Sequence, residues 1–301
     1  MTAISLSRKA PILLIDASYY VFYRFFATSR WWSFQKKDIT CDEDALLSDE
    51  GFKSAFAKHV KADIEKLQKR WGLVGRGKKP IAPNNIVFCK DCPRSTIWRN
   101  DVYNEYKKSR AVNTRFDSNA FACFSSQVSL TPEAFANDVA FQSVALPRLE
   151  ADDVACLLFR QIRKTMGHDQ PVVFITGDHD YLQLKDEHCE IYGLPEKNLW
   201  EAGVKKGTND INRKILMGDP SDNIPQVLNK KEINVYMALE DSDRQTYIDK
   251  LGKADSYQLN KTLMCWTQIP DQLVEEFNQK WQVYEREWAL GRMRMRIMSS
   301  I

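Results

Sequence analysis

The sequence lacks any apolar run of the roughly 18 to 20 residues that a membrane helix needs. Its first residues also lack a basic start followed by a long apolar stretch, which a standard secretion signal would require. We find no internal repeat and no low-complexity tract. These absences predict a soluble chain with no membrane partner, whose 301 residues can form one substantial core or a core with a smaller appended section.

The sequence also lacks an even number of regularly spaced cysteines and a strong excess of charge of either sign. Seven irregularly spaced cysteines argue against structural disulfides and predict a reducing intracellular compartment, which we expect to be the cytoplasm. Cys89 and Cys92 form a C-x-x-C pair, but no second pair exists and only four histidines are available, which disfavours a zinc site. The net charge of +3 means that any attraction to a polyanion must come from local patches.

Short apolar runs alternate with amphipathic segments of helical length, such as the one from Phe52 to Trp71. We predict strands at residues 12–15, 86–89, 139–144 and 172–175. This alternation predicts an α/β fold with a mainly parallel central sheet flanked by helices. Beyond Pro225 only helical patterns remain, so we expect an α/β domain over residues 1–224 and a helical section over 225–301.

Carboxylates recur just after these strands or where helices begin. They are Asp16, Asp91, Glu150, Asp152, Asp153, Asp178, Asp180, Asp219 and Asp222. Any one of them can be explained as a helix cap. However, the carboxyl ends of parallel strands share one edge of a sheet, so the whole set should converge there.

Converging carboxylates repel one another and raise each other's pKa unless a cation compensates them. An all-oxygen donor set suits Mg²⁺, with Mn²⁺ as a substitute. Two such ions, roughly 3.5 to 4 Å apart, serve in-line phosphodiester hydrolysis without a nucleophilic side chain. The acidic set therefore predicts a nuclease with two metal ions.

Residues 94–110 combine basic and aromatic side chains. If helical, the segment places Arg99, Tyr103, Tyr106, Lys107 and Arg110 on one stripe that could grip phosphates and stack on unpaired bases. The alternative is a solvated helix with a partly buried aromatic edge.

The ordered motifs LLIDAS, VFCKD followed by WRNDVYNEYKKSR, LEADD, ITGDHDYLQL and MGDPSDNIP resemble the flap endonuclease and 5′ to 3′ exonuclease family of PIN-like nucleases. The likeness spans roughly residues 12–225 and is greatest to the ribonuclease H type of T-even phages, so a viral or phage origin is open.

The resemblance implies a role for each matching residue. Asp16, Asp91, Glu150, Asp152 and Asp153 would form a first metal cluster, and Asp178, Asp180 and Asp222, with Asp219 nearby, a second. Lys107 and Arg99 would meet the scissile phosphate, and residues 94–130 would form a helical arch around a 5′ single strand. Further expected nucleic-acid contacts are Arg24, Arg94, Tyr103, Tyr106, Lys108, Arg110, Lys230 and Lys231.

The resemblance also implies cleavage at 5′ ends of flaps, nicks and RNA–DNA hybrids, removing primers or flaps during DNA replication or repair. A monomer that works with a single-strand-binding protein or a clamp is expected. The chain departs from the family after DNIPQV, where LNKKEINVYMAL replaces a glycine-rich hairpin that binds duplex backbone and K⁺. Lys230 and Lys231 remain candidates for phosphate contacts at that helix start.

Three rival functions remain. A haloacid dehalogenase-type phosphatase needs a second acid two residues after Asp16, where this chain has Ser18. A PIN-domain ribonuclease usually occupies a shorter chain, and a non-catalytic binder of branched DNA would be expected to lack some of the acidic residues. All the matching acids are present, which favours the nuclease.

Overall fold

The computed structural model describes residues 10–35, 46, 48–74, 85–109, 142–195, 197–206 and 210–282. Within them lies a six-stranded sheet of order β3-β2-β1-β4-β5-β6. Its strands are β1 (Ile12–Asp16), β2 (Ile86–Lys90), β3 (Gln142–Ala145), β4 (Val172–Ile175), β5 (Cys189–Gly193) and β6 (Lys197–Asn198). Only β6 pairs antiparallel to its neighbour; the other pairs are parallel.

Helices follow most of the strands. The longer ones are α1 (Ala17–Gln35), α2 (Glu50–Arg70) and α4 (Ala151–Met166), and α3 (Arg99–Val102) is a single turn. The C-terminal part contains α5 (Leu199–Lys206), α6 (Ile211–Met217), α7 (Lys230–Ala238), α8 (Asp241–Lys250), α9 (Ala254–Met264) and α10 (residues 271–282). No helix in the part of the chain that the structure describes is long and apolar enough to cross a membrane.

Each face of the sheet is covered by a hydrophobic core. Leu13 and Ile15 of β1 pack against α1 and α2, whereas Ile12 and Leu14 pack against α4 and the segment around Phe277. This alternation is what a strand buried on both faces requires, since successive side chains point to opposite sides. The continuous apolar runs of β1, β2 and β4 have this origin.

A third buried cluster joins the helical section to the segment that follows β2. Cys92, Ile97 and Tyr106 pack against side chains of α6, α7 and α9, including Ile215 and Leu263. The helices after Pro225 therefore pack directly on the segment that carries Arg99 and Lys107. The division at residue 224 stays a prediction.

The mainly parallel α/β sheet predicted from the sequence is confirmed, as are strands at three of the four predicted positions. The fourth, β3, is found at Gln142–Ala145, and residues 139–141 lie outside the described residues. The strands β5 and β6 were not predicted. Residues 110–130 of the expected arch, which include Arg110, lie outside the described residues. Residues 283–301 lie outside them as well.

One structural prediction is wrong for the residues described. Residues 94–109 do not form a continuous helix: a 3₁₀ turn at Arg94–Thr96 and the single turn α3 are followed by turns up to residue 109. Tyr103 has an extended backbone, and Lys107 is left-handed with φ of 58°. The side chains of this segment therefore do not line up on one stripe.

Candidate metal centre

Asp16 ends β1 at the carboxyl edge of the sheet. The Tyr19 amide donates to its Oδ1 at 3.0 Å, and the Thr176 hydroxyl donates to its Oδ2 at 3.3 Å. Burial, together with the charges of Asp91 and Asp178, raises the pKa of Asp16 from 3.8 to about 7. The fold thus holds a carboxylate where its negative charge is poorly compensated.

Three further acids surround this position. Asp91 follows β2, where its carboxylate accepts from the Ala151 amide at 2.8 Å and from the Ser18 hydroxyl. Glu150 and Asp152 stand at the start of α4, and burial and the charge of the neighbouring acid Asp153 raise the pKa of Asp152 well above its usual range. We call Asp16, Asp91, Glu150 and Asp152 the first acid group.

The second acid group is Asp178, Asp180, Asp219 and Asp222, which lie on two loops. The Asp178 carboxylate accepts from the Asp180 amide at 2.8 Å in the turn after β4. Asp219 and Asp222 lie in a tight loop that is closed by paired backbone hydrogen bonds between Asp219 and Ile224, of 3.0 and 2.8 Å. All four therefore have positions fixed by local backbone structure.

Gly218 makes the tight loop possible. Its φ is +71°, and a Cβ there would lie 2.5 Å from the Pro225 carbonyl oxygen and 2.6 Å from that of Ile224. A side chain at this position would force the backbone of the loop apart. The glycine of the MGDPSDNIP motif is thus needed to hold two acids in place.

One open cavity of about 650 Å³ at the sheet edge is bordered by the whole first acid group and by two acids of the second. Its lining includes Asp16, Asp91, Glu150, Asp152, Asp178 and Asp219, together with Lys107, Lys214, Tyr19 and Phe22. A small adjoining space of about 20 Å³ is bounded by acids of both groups, Asp152, Asp178, Asp180, Asp219 and Asp222. The predicted convergence of distant acids at this edge is thus observed.

Lysines stand among these carboxylates. The Lys107 ammonium contacts Glu150 and lies 3.6 Å from an Asp222 oxygen, and its backbone N–H donates to the Asp222 carbonyl at 2.9 Å. Lys214 of α6 contacts Asp180 and lies 3.4 Å from an Asp219 oxygen. Burial alone would raise the pKa of Glu150, but Lys107 and Arg99 outweigh it and lower that pKa.

Arg99 and Asp153 form a buried ion pair beneath the cavity. The Arg99 side chain is 2% exposed and donates to both Asp153 oxygens, at 2.7 and 2.8 Å, and to Glu150 at 2.8 Å. Asp153 is fully buried and also accepts from the Trp98 indole at 2.9 Å. Arg99, which was expected at the scissile phosphate, and Asp153, which was expected at the metal, therefore bind each other in this structure.

The acids Glu150, Asp152 and Asp153 can still bring one ligand oxygen each within 4.8 Å of one another. Asp153 nevertheless lines neither the cavity nor the small space beside it, since its oxygens face Arg99 and Trp98. Its part as a metal ligand stays a prediction, and the geometry favours a role in orienting Glu150. The remaining donor set, carboxylates gathered at one edge with burial raising the pKa of Asp16 and Asp152, fits a hard divalent cation.

The residues expected to contact nucleic acid differ in their exposure and in their partners. Tyr106 is 5% exposed and its hydroxyl donates to Glu150 at 3.0 Å, which leaves no face for stacking on a base. Arg24 pairs with Asp63 at a distance of 2.5 Å, and this pair lies outside both acid groups. Tyr103 is half-buried, whereas the side chains of four basic residues are exposed: Arg94, Lys108, Lys230 and Lys231.

Lys214 and Phe22 are among the cavity residues that were not identified from the sequence. Lys214 sits in an amphipathic stretch whose local pattern does not distinguish it from other surface lysines. Phe22 is 41% exposed and lines the cavity. Its place in the helix that begins directly after Asp16 is the signal that could have identified it.

Metal-free protein should lose stability as the pH rises. Asp16 keeps its proton in the folded state up to about pH 7, whereas the unfolded chain releases it near 3.8. The unfolded state thus binds fewer protons in this range, so the free energy of unfolding falls between about pH 4 and 7, on the order of 4 kcal/mol for Asp16. Thermal unfolding in chelator at several pH values measures this trend.

Asp16→Asn is the control for this prediction, because it removes the titrating group and should flatten the profile. Mg²⁺ or Mn²⁺ should stabilise the wild type more at pH 8 than at pH 5, since the cation competes with the proton. A metal-induced shift that is the same at both pH values would contradict the assignment.

A mainly parallel sheet with clustered carboxylates at its carboxyl edge fits the class of metal-dependent phosphodiesterases. Residues 11–212 match the model of the 5′-3′ exonuclease N-terminal resolvase-like domain. A 5′-3′ exonuclease of Bacillus subtilis is 26% identical over 252 residues, which cover 80% of this chain and 72% of the relative. The chain belongs to the 5′-3′ exonuclease family, a family of hydrolases.

Longer relatives and solved structures agree. The thermostable DNA polymerase I of Thermus thermophilus is 26% identical over 224 residues, and the match covers 73% of this chain but 22% of the polymerase. The flap endonuclease D15 of bacteriophage T5, in a complex with DNA and metal ions, aligns with a TM-score of 0.55 at 18% identity, covering 93% of this chain and 99% of that one. The T5 5′-exonuclease with bound zinc gives 0.54 at 17% identity, with the same coverage. These structures establish the PIN-like fold.

Proposed function

We propose that the chain is a Mg²⁺-dependent 5′-3′ exonuclease and flap endonuclease that hydrolyses phosphodiester bonds at the 5′ ends of nicked or branched DNA. The observation that carries this proposal is the convergence of two acid groups on one open cavity in a chain of this family. The T5 relative in complex with DNA and metal ions supports a DNA substrate and divalent cations. Trimming of flaps or RNA primers during replication fits this activity.

Each acid group would hold one of two cations, the first through Asp16, Asp91, Glu150 and Asp152 and the second through Asp178, Asp180, Asp219 and Asp222. Mg²⁺ is favoured by the all-carboxylate donors, and Mn²⁺ can replace it. When bound, such cations activate water and stabilise negative charge on the leaving oxygen. Asp91 and Asp16 are held in position for binding by the amides of Ala151 and Tyr19.

Lys107 would act on the substrate itself. Its ammonium group lies between the two acid groups, so a phosphate that bridges them would meet a positive charge there. Phe22 gives the cavity an exposed aromatic wall, against which the base next to the scissile phosphate can stack. Lys214 holds Asp180 and Asp219 together while no cation is bound.

The first test uses 3′-labelled nicked duplex, 5′-flap and single-stranded substrates with Mg²⁺ or with chelator. Cleavage from the 5′ side that requires metal supports the proposal. Folded protein that binds flaps in Ca²⁺ but does not cut with Mg²⁺ or Mn²⁺ would refute it and identify a non-catalytic binder of branched DNA. An RNA–DNA hybrid in the same series measures the preference for RNA.

Replacing Lys107 with methionine should slow cleavage and tighten metal binding together. The ammonium group competes with cations for Glu150 and Asp222, so its removal should raise Mn²⁺ affinity, while single-turnover cleavage falls about 100-fold or more. Mn²⁺ titration and rapid-quench kinetics measure the two effects.

Lys250→Met is the matched control, since Lys250 is exposed at the end of α8 and lines neither the cavity nor the small space beside it. It should leave both quantities near the wild-type values. If Lys107→Met weakens substrate binding but not single-turnover cleavage, Lys107 does not act on the phosphate.

A monomeric state and recruitment by a single-strand-binding protein or a clamp remain predictions from the sequence. A reducing compartment is supported by Cys89, Cys92, Cys156, Cys189 and Cys265, which are all free and buried.

A further inference from the structure

A second cavity, of about 350 Å³, lies between α1, α2 and the end of β5. We call it the Arg70 pocket and define it by Tyr23, Arg24, Lys66, Arg70, Trp71 and Tyr192. It shares no lining residue with the acidic cavity, but the two are adjacent. Tyr19 lines the acidic cavity, the next residue Tyr20 lines the pocket, and the Tyr19 hydroxyl accepts from the amide of Leu194, another pocket residue.

Positive charge dominates this pocket. Three basic side chains, Arg24, Lys66 and Arg70, face one carboxylate, that of Asp63. Asp63 is already engaged, since it pairs with Arg24 at 2.5 Å and accepts from the Tyr20 hydroxyl at 3.0 Å. Outside the pocket, Glu190 raises the pKa of the Tyr192 hydroxyl. The lining therefore favours an anion.

The pocket also contains a donor without an acceptor. The Nε of Arg24 is buried and has no hydrogen-bond partner among the described residues. This atom has almost no exposed surface, so a ligand oxygen would reach it only if the Arg24 side chain shifted. Guanidinium groups bind phosphate through charge-assisted hydrogen bonds, so Arg24 and Arg70 suit a phosphate ligand.

Aromatic rings lie beside the cations. The Arg70 guanidinium lies 5.4 Å from the ring centre of Trp71 and 5.0 Å from that of Tyr192, and Arg24 lies 5.4 Å from that of Tyr23. Stacked guanidinium groups are held in fixed orientations and present their edges to an anion. Cations with interleaved aromatic rings are typical of nucleic-acid surfaces.

From these contacts we propose that the Arg70 pocket is a second substrate site, which binds a backbone phosphate of the nucleic acid away from the bond that is cut. This inference rests on the proposed function, because it names an anchoring point for the same substrate. A strand that enters the acidic cavity passes over the sheet edge beside Tyr19, and its neighbouring duplex can reach the pocket from there.

The test compares two double variants of α2 that lose the same charge. Lys66→Gln/Arg70→Gln removes two pocket cations, whereas Lys58→Gln/Lys69→Gln removes two exposed lysines of the same helix outside the pocket. Binding of a fluorescent nicked duplex is measured by anisotropy in Ca²⁺ at several salt concentrations, after thermal unfolding has shown that both variants are folded. No cleavage is needed for this readout.

We expect the pocket variant to bind at least about tenfold more weakly at 0.15 M salt and to lower the salt-dependence slope by about 2, since each lost phosphate contact lowers it by about 1. The control variant should bind like the wild type. Equal affinities and slopes in the two variants would overturn the proposal, while nuclease activity measured separately tests the proposed function.

Calorimetric titration with AMP and with inorganic phosphate distinguishes the source of the phosphate. Tight AMP binding that only the pocket variant loses, with duplex binding equal in both variants, would overturn the substrate site and identify a site for a free nucleotide. Weak binding of both small probes, with the duplex effect present, supports the substrate site.

Discussion

Replacing Asp152 with asparagine is expected to abolish cleavage and, in the absence of metal, to stabilise the folded protein. Burial and the charges of Asp153 and Glu150 raise the pKa of Asp152, so its negative charge opposes folding until a cation binds. Asparagine keeps the acceptor for the Asp153 amide, which donates to Asp152 at 2.7 Å, but loses the charge that a cation requires.

The expected loss of activity is at least about a thousandfold, or roughly 4 kcal/mol of transition-state stabilisation. The metal-free variant is expected to be more stable than the wild type, because the substitution removes a buried charge that repels its neighbours. Single-turnover cleavage in Mg²⁺ and urea unfolding in chelator measure the two effects. Asp169→Asn, at an exposed position, serves as the control. Near-normal turnover of Asp152→Asn would exclude this acid from metal binding.

Replacing Arg99 with methionine is expected to destabilise the protein by about 3 to 5 kcal/mol, because it leaves Asp153 charged and buried without its partner. Glu150 loses one of its two cations, and the Leu263 carbonyl loses the Nε donor at 2.8 Å that ties α9 to this site. Urea unfolding at neutral pH, with m-values compared, measures the loss.

Arg99→Lys is the informative companion, since it keeps the charge but cannot make the bidentate contact with Asp153. We expect this variant to be less stable than the wild type but more stable than Arg99→Met. The alternative role for Arg99, at the scissile phosphate, predicts normal unfolding and slow cleavage at saturating substrate. That pattern would restore the role expected from the family resemblance.

The strands and acids could be predicted because their signals are local. Continuous apolar runs identify β1, β2 and β4, and each is followed by an acid within two or three residues. A parallel sheet then brings those acids to one edge whatever the connecting segments do. The acidic centre was predictable for this reason, whereas β5, with the short alternating sequence CEIYG, was not.

The basic segment could not be predicted, because its conformation depends on distant residues. Trp98, Arg99 and Tyr106 bind Glu150 and Asp153, which lie some fifty residues later in the chain. These contacts outweigh the helical periodicity of the segment. The Arg70 pocket was missed for the same reason, since Tyr192 joins Arg70 only after the sheet has formed.

The strand order has a consequence for biosynthesis. The central strand β1 pairs with β2 and with β4, which comes much later in the chain, as in the register of Ile12 with Val172. The loop with Asp219 and Asp222 is translated later still. Such long-range pairing folds slowly, because distant segments must meet before their contacts stabilise them. A nascent chain that still lacks this loop has no complete acidic centre, so we expect it to cleave no nucleic acid until the loop has been synthesised.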